Sequence, residues 1–457
     1  MQSRILVLLA VATAVLGVAM SSGAGADRMA AAAGLSPAAR TFATPIRHVV
    51  VLYEENHSFD NVLGALCVAD HRCAGATTGK LSDGTTIPLA TASDIVPAVS
   101  HTDHGQTAAI DGGRMDGFST ITGCTQPTGY ACYSQFQPAQ IPAVAALARR
   151  FVIADRTFES SAMPSWGSHL DLVAATLDGF TGDNPVASTT GHPLGPGWGC
   201  DSFRDALWRS ASGKILVPSC IPTRAGLGPY RSTPVKWVPT IMDRLSHGGY
   251  SWKLYAPGPS QTGTPYGWAI CPTFADCLDT SQSTHVVASS QVITDAAAGR
   301  LPNFSIVTPE NDVSQHNDFS MMQGDNWIGQ IVNSIMNGPD WNTTAIFITW
   351  DDCGCFYDHV APPAGLGIRL PMIIVSPYAR AATTDHMVAS LQSLLAYTER
   401  AFNLAPLASG DRNAYAYANS FDYTQTPIAP IRLNAAPVPL TSRVYPIDHQ
   451  PPAHDPT

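Results

Sequence analysis

Charge is scarce in this sequence: Asp, Glu, Lys and Arg make up 13% of its 457 residues. The cations are fewer than the acids, 25 against 35, leaving a formal charge of −10. Binding to a phosphate backbone needs a basic face, so nucleic acid is excluded as the main partner. A small phosphorylated ligand stays open, because a metal ion or a helix N-terminus supplies positive potential locally. No apolar run after residue 26 approaches the ~20 residues that span a bilayer. No pair of Cys-x-x-Cys knuckles occurs at zinc-finger spacing, which sets a structural zinc site aside. No internal repeat is apparent.

What the chain does contain is apolar. A hydrophobic content of 45% is that of a core-forming globular protein. The first residues have the layout of a secretory leader: Arg4 as the positive region, an apolar stretch over residues 5–20, and the small residues Ala24, Gly25 and Ala26 before the cut. The expectation is a signal peptide over 1–26, a flexible mature N-terminus over 27–44, and a secreted product. All 10 cysteines follow the leader. An even count in an exported chain implies disulfides. Cys67, Cys73, Cys124, Cys132, Cys200, Cys220, Cys271, Cys277, Cys353 and Cys355 fall in sequence-local couples, so five local bridges are expected, with their connectivity left open by the sequence.

Strand and helix patterns alternate along the chain. Short apolar, β-branched runs over residues 46–53, 151–154, 250–255, 303–308, 344–350 and 370–376 read as buried strands. Helical patterns lie between them, at 141–150, 166–177, 238–245, 291–298, 327–336 and 387–402. Residues 65–140 and 180–235 are rich in Gly, Pro, Ser and Thr and read as irregular insertions. Such alternation argues for an α/β fold with a mostly parallel sheet covered by helices on both faces. The expectation is one catalytic domain over 45–404 and an extension over 405–457 that is loosely packed or wraps the body.

Several of these strands run directly into acids: Glu54 and Glu55 before Asn56, Asp155, Glu310, and the pair Asp351 and Asp352. Ligands of parallel sheets sit beyond the carboxyl ends of the strands, where such loops converge. Glu55, Asn56, Asp351 and Asp352 supply the carboxylate and amide oxygens that a hard divalent cation takes. Ser165 follows Pro164 and opens a helical run. Its hydroxyl at a helix N-terminus, where exposed N–H groups favour phosphate, makes it the candidate nucleophile. His101, His104, His316 and His359 recur on the same loops as candidate donors to phosphoryl oxygens or acids for the leaving group. Any one of these residues alone reads as a cap or a structural histidine; the set belongs to one chemistry.

Two longer stretches carry a resemblance. Residues 55–64, Glu-Asn-His-Ser-Phe-Asp-Asn-Val-Leu-Gly, resemble the opening motif of the bacterial phosphoesterase family of secreted phospholipases C and acid phosphatases. Residues 350–360, with Pro362 and Pro363, are similar to its late motif. Residues 367–377 and 111–117 resemble further elements of it, in the same order. The resemblance implies an alkaline-phosphatase-like three-layer α/β/α sandwich and a phosphoryl-enzyme route. It places one divalent metal cation on Glu55, Asn56, Asp351 and Asp352. Ser165 is then nucleophile and additional ligand, and His101, His316 and His359, together with Asn56, surround the phosphate. The partner it implies is a phosphate-ester substrate, a phospholipid head group at a membrane surface or a soluble phosphomonoester.

The chain departs from that family in three places. The nucleophile segment reads Ser-Trp-Gly-Ser-His over 165–169 where the phospholipases have Thr-x-Pro-Asn-Arg. The glycine pair after the late acids is split by Cys353 and Cys355. Only about fifty residues follow the last core helix, too few for the C-terminal β-domains of the larger phospholipases. A silent binding protein on a decayed scaffold would lack the nucleophile or an acid, and both are present. A sulfatase would need its modification motif around Ser165, and none is found.

Overall fold

The computed structural model describes residues 44–442 apart from 190, 227, 229 and 260–264. The expected leader, the segment after it up to residue 43, and the end of the extension after 442 lie outside the described residues.

Eight strands form the main sheet: β1 (His48–Glu54), β2 (Val152–Ala154), β3 (Trp252–Tyr255), β4 (Val286–Val287), β5 (Phe304–Val307), β6 (Thr344–Trp350), β7 (Met372–Val375) and β8 (Thr384–Asp385). Their order across the sheet is β4-β3-β5-β1-β6-β7-β2-β8. All seven residues of β6 are buried. Successive side chains point to opposite faces, so a fully buried strand means both faces are covered. The covering helices pack in two groups. One holds α3 (Ser165–Ala174), α4 (Ile241–His247) and α7 (Gln392–Phe402). The other holds α2 (Pro142–Arg150), α5 (Gln291–Ala297) and α6 (Met321–Met336). The fold is the α/β sandwich with a mostly parallel sheet that the alternation implies.

The β1–β6 pair is the spine. It is parallel and in register from His48 opposite Thr344 to Glu54 opposite Trp350. Both strands therefore end at one level, and Glu55 and Asp351 emerge side by side. The exception to parallel order is β7, antiparallel to both β6 and β2. An apolar run carries no direction, which is why the sequence left this open. The reversal brings the start of β7, with Arg369 just before it, back to the edge where β6 ends.

Other elements differ from expectation. The pattern over 387–402 predicts one helix. The helix begins at Gln392, because Ala389–Ser390 pairs with Thr157–Phe158 instead. The stretch read as irregular over 180–235 contains a hairpin, Arg204–Ser210 with Gly213–Pro218. A helix, α1 (Asp103–Ile110), stands in the region read as loop.

Four of the five expected disulfides form: Cys67–Cys73, Cys124–Cys132, Cys200–Cys220 and Cys271–Cys277. The fifth does not. Cys353 and Cys355 are free and buried, with sulfurs 3.7 Å apart. Their turn is held by hydrogen bonds. The Cys355 N–H donates to the Cys353 sulfur at 3.0 Å, and the Cys353 N–H donates to Glu159 at 2.7 Å.

The extension follows the body as far as it is described. Asn326 and Asn333, two turns apart on α6, each exchange a pair of hydrogen bonds with the backbone of Ala436 and Leu433. The Trp341 indole donates to the Ile428 carbonyl at 3.1 Å.

Candidate active site

Glu55 and Asn56 leave β1 in a sharp turn. Asn56 takes a left-handed φ of 62°, a conformation Asn tolerates better than most residues. The turn points its N–H at Asp351 Oδ1, 2.8 Å away. The same oxygen accepts the N–H of Asp352 at 2.7 Å. Gly354, at φ 51°, packs so close that a Cβ there would stand 2.2 Å from the Asn56 carbonyl oxygen. This close approach explains a glycine between the two cysteines: the acid loop must lie flat against the Glu55–Asn56 turn.

Glu55, Asn56, Asp351 and Asp352 have no measurable exposure. Glu55 Oε2, Asp351 Oδ2 and both side-chain atoms of Asn56 lack a hydrogen-bond partner. Burial, then the charge of Asp351, pushes the Glu55 carboxyl well above its ordinary range. Burial, then Asp351 and Glu159, does the same to Asp352. Buried orphan oxygens are costly unless something positive meets them. A hard divalent cation is what this donor set fits.

Ser165 opens α3. Pro164 before it is extended, and no side chain of the helix's own caps its end. Instead the Trp166 N–H donates to Asn184 Oδ1 at 2.8 Å and the Gly167 N–H to the Gly182 carbonyl at 3.0 Å. The Ser165 hydroxyl donates to Asp352 Oδ2 at 3.4 Å. His101 lies across the same oxygen, with Nε2 3.8 Å from it and Nδ1 on the Val99 carbonyl at 2.7 Å.

The geometry also brings in a residue outside the predicted set. His169, one turn after Ser165, reaches Glu55 Oε1 with Nε2 at 3.1 Å. Glu55, His169 and Asp351 form a group whose ligand atoms lie within 4.8 Å of one another. Burial lowers the His169 pKa to about 4, against the pull of Asp351 and of the Trp268 backbone, so the ring is neutral with a lone pair to offer. The signal was present in the departure from the family motif at 165–169. A histidine four residues after a helix-opening nucleophile shares its face.

Asp352 falls with Glu159 and Cys353 in a second such group. His316 stands on a loop tied to the site by the Glu55 N–H, which donates to the Ser314 carbonyl at 3.1 Å. Its ring lies 5.9 Å from that of Trp268. His359 goes elsewhere. Its backbone N–H and its Nδ1 both engage Asp60 Oδ2, and Arg369 joins Asp60 and Asp358 at 3.1 and 3.0 Å. His359 is thus held in a separate ion cluster, and among the described residues no hydrogen bond or ion pair joins it to Ser165, Glu55, Asp351 or Asp352. Of the other strand-end acids, Asp155 pairs with His386 at 2.9 Å, and Glu310 borders a separate apolar cavity of ≈ 390 Å³. His104 is exposed on α1.

The Phosphoesterase family matches residues 46–405, and the chain belongs to it: it is a phosphoric-ester hydrolase. Non-specific phospholipase C1 of Arabidopsis thaliana is 24% identical over 431 residues, covering 81% of this chain and 70% of that protein. Phospholipase C A of Mycobacterium tuberculosis is 24% identical over 394 residues, covering 74% of this chain and 69% of that one. A protein of the alkaline phosphatase superfamily from Vibrio parahaemolyticus superposes with a TM-score of 0.35 at 13% identity, over 79% of this chain and 67% of that chain.

Proposed function

We propose that the protein is a secreted phospholipase C that works through a phosphoryl-Ser165 intermediate and one divalent cation. The observation that carries this reading is the Ser165 hydroxyl, 3.4 Å from Asp352 at the start of a buried helix, beside the orphan oxygens of Glu55, Asn56 and Asp351. The names of the relatives support the phospholipid as substrate class. The leader motif supports secretion.

Ser165 Oγ attacks phosphorus in line, and its proton passes to Asp352 Oδ2, its hydrogen-bond acceptor. The bond from phosphorus to the glycerol oxygen breaks, and that oxygen takes a proton from water, so that diacylglycerol leaves as the alcohol. The hydroxide left from that water attacks the phosphoserine and releases the phosphorylated head group, and Asp352 returns the serine proton to Ser165 Oγ. The first-turn N–H groups of α3 are taken up by Asn184, Gly182 and Pro164, so His101 and His316, in the imidazolium form, are the donors to the phosphoryl oxygens. Glu55, Asn56, Asp351, Asp352 and Ser165, with His169, would hold the cation, which when bound supplies positive charge to the phosphoryl group.

Two assays test the reading, phosphatidylcholine and p-nitrophenyl phosphate, each with and without chelator. Ser165→Ala is expected to lose on the order of 10³-fold or more in kcat, as removal of a covalent nucleophile does. Chelation is expected to abolish turnover, and a divalent cation to restore it. A Ser165→Ala enzyme as fast as wild type on both substrates would overturn the mechanism. Turnover of p-nitrophenyl phosphate alone would reassign the enzyme as an acid phosphatase.

A further inference from the structure

The described residues leave seven large apolar side chains exposed, and four of them lie between residues 186 and 216: Val186, Leu194, Ile215 and Leu216, at 50, 47, 41 and 48% exposure. Val186, Ile215 and Leu216 belong to one small sheet, in which Arg204–Ser210 runs between Val186–Ala187 and Gly213–Pro218. Leu194 is on the loop between its first two strands. Val186 stands on one edge of this sheet, while Ile215 and Leu216 are neighbours on the opposite edge, where residues 211–216 are all exposed. Scattered single apolar residues need no explanation, but adjacent ones at an exposed hairpin tip do.

This small sheet is fastened to the active site. Its central strand bonds to residues 179–181, through the Thr181 N–H to the Leu207 carbonyl and the Arg209 N–H to the Gly179 carbonyl. The next three residues hold the catalytic elements. Gly182 and Asn184 cap the Ser165 helix, and Asp183 accepts the N–H of Asp103, two residues after His101. Lys214, on the outer strand, reaches Asp103 at 3.4 Å. Neighbouring strands are about 4.8 Å apart, so the outer strand runs roughly 10 Å from the segment that caps the nucleophile helix.

Charge selects the occupant. In a chain of net charge −10, residues 179–236 carry six Lys and Arg against three Asp. Arg209 and Lys214 stand opposite one another beside Ile215 and Leu216. Apolar tips flanked by cations, on a locally positive segment of an acidic protein, match a lipid surface bearing negative head groups, where stems sit among acyl chains and cations meet phosphates.

We propose that Ile215 and Leu216, near the exposed tip of the 204–218 hairpin and flanked by Arg209 and Lys214, dock onto an anionic phospholipid bilayer and hold the Ser165 site close to it. This rests on the phospholipase reading above and adds to it where the enzyme meets its substrate.

The test is sedimentation with large unilamellar vesicles of phosphatidylcholine and phosphatidylglycerol, alongside hydrolysis of a short-chain phosphatidylcholine below its micelle concentration. Wild type is expected to bind the vesicles, less tightly at high salt. Ile215→Ser/Leu216→Ser is expected to bind them roughly 10- to 100-fold more weakly, given the apolar area it removes. Its hydrolysis of vesicle lipid should fall in step, while its rate on the monomeric lipid stays at the wild-type value. Equal vesicle binding by wild type and variant overturns the docking surface. So does a wild-type dimer in sedimentation velocity that the variant breaks, since the edge then serves a second copy. Failure of wild type on the monomeric lipid refutes the phospholipase reading instead, because that assay is independent of docking.

Discussion

His169 shows how much a single side chain decides. At 3.1 Å from Glu55 Oε1 and buried beside Asp351, it puts a neutral imidazole among oxygen donors. Imidazole shifts such a site from calcium and magnesium towards zinc, manganese or iron. His169→Gln keeps a hydrogen-bonding group but removes the ligand. Metal retained after dialysis, measured by plasma mass spectrometry, should correspond to an affinity 10- to 100-fold lower, the usual cost of disturbing a metal's supporting groups. Unchanged metal content would show that His169 merely packs there. His359 teaches the reverse. It sits in a family-like motif, yet its partner Asp60 is 299 residues away in sequence and only the fold reveals it. Legibility at this scale followed chain locality. The acids at strand ends and the serine after a proline could be read from their neighbours, while the roles of the two histidines depend on what the fold brings to them.

At the scale of elements, α3 is the part on which the chemistry turns, and its N-terminus is capped from outside. Asn184 Oδ1 accepts the Trp166 N–H, and Gly182 approaches so near that a Cβ on Gly167 would stand 2.7 Å from the Gly182 Cα. Asn184→Ala removes a cap, which costs about 1 kcal/mol. Since the capped turn carries Ser165, the loss should appear in kcat, with KM for p-nitrophenyl phosphate nearly unchanged; a change confined to KM would place Asn184 in substrate binding instead. None of this was visible in residues 180–235. Their Gly and Pro content masks the hairpin at 204–218, whose strands are largely unburied. By contrast β1 and β6 were plain, because strands buried on both faces need unbroken apolar runs. The direction of β7 and the late start of α7 were settled by pairing partners that local pattern does not specify.

For the molecule as a whole, the buried acids set how stability responds to pH. Asp325 caps the start of α2, accepting the N–H groups of Ala143 and Val144 at 3.0 and 2.8 Å. Burial still raises its pKa from 3.8 to about 7. Burial likewise raises Asp171 to about 6. Between the unfolded value and these native values the folded protein binds more protons than the unfolded chain. Stability contributed by these groups is therefore present at low pH and is lost as pH rises through 6 and 7. The urea midpoint of the chelated enzyme should be higher at pH 5.5 than at pH 8. Asp325→Asn should flatten that slope; an unaltered slope would mean other groups control it. The sandwich, the mostly parallel sheet and the convergence of strand ends were readable at this scale, since they follow from the alternation of elements. The path of the extension was not, because Asn326 and Asn333 grip its backbone rather than any patterned side chain.

The unbridged Cys353 and Cys355 give the acid loop its own stopwatch. Eight of the ten cysteines are locked in disulfides, so these two buried thiols are what an alkylating reagent can find, and only when the loop opens. With fast reclosing, the labelling rate of the unmodified protein equals the reagent's intrinsic rate scaled by the open fraction. A divalent cation that binds the closed loop should slow iodoacetamide labelling by the factor one plus its concentration over its dissociation constant. Mass spectrometry would read that factor directly, and a labelling rate indifferent to every cation tried would mean that the loop opens without releasing one. Measured across temperature and denaturant, the same two sulfurs would time how often Asp351 and Asp352 part from Glu55 and Asn56, without a single introduced probe.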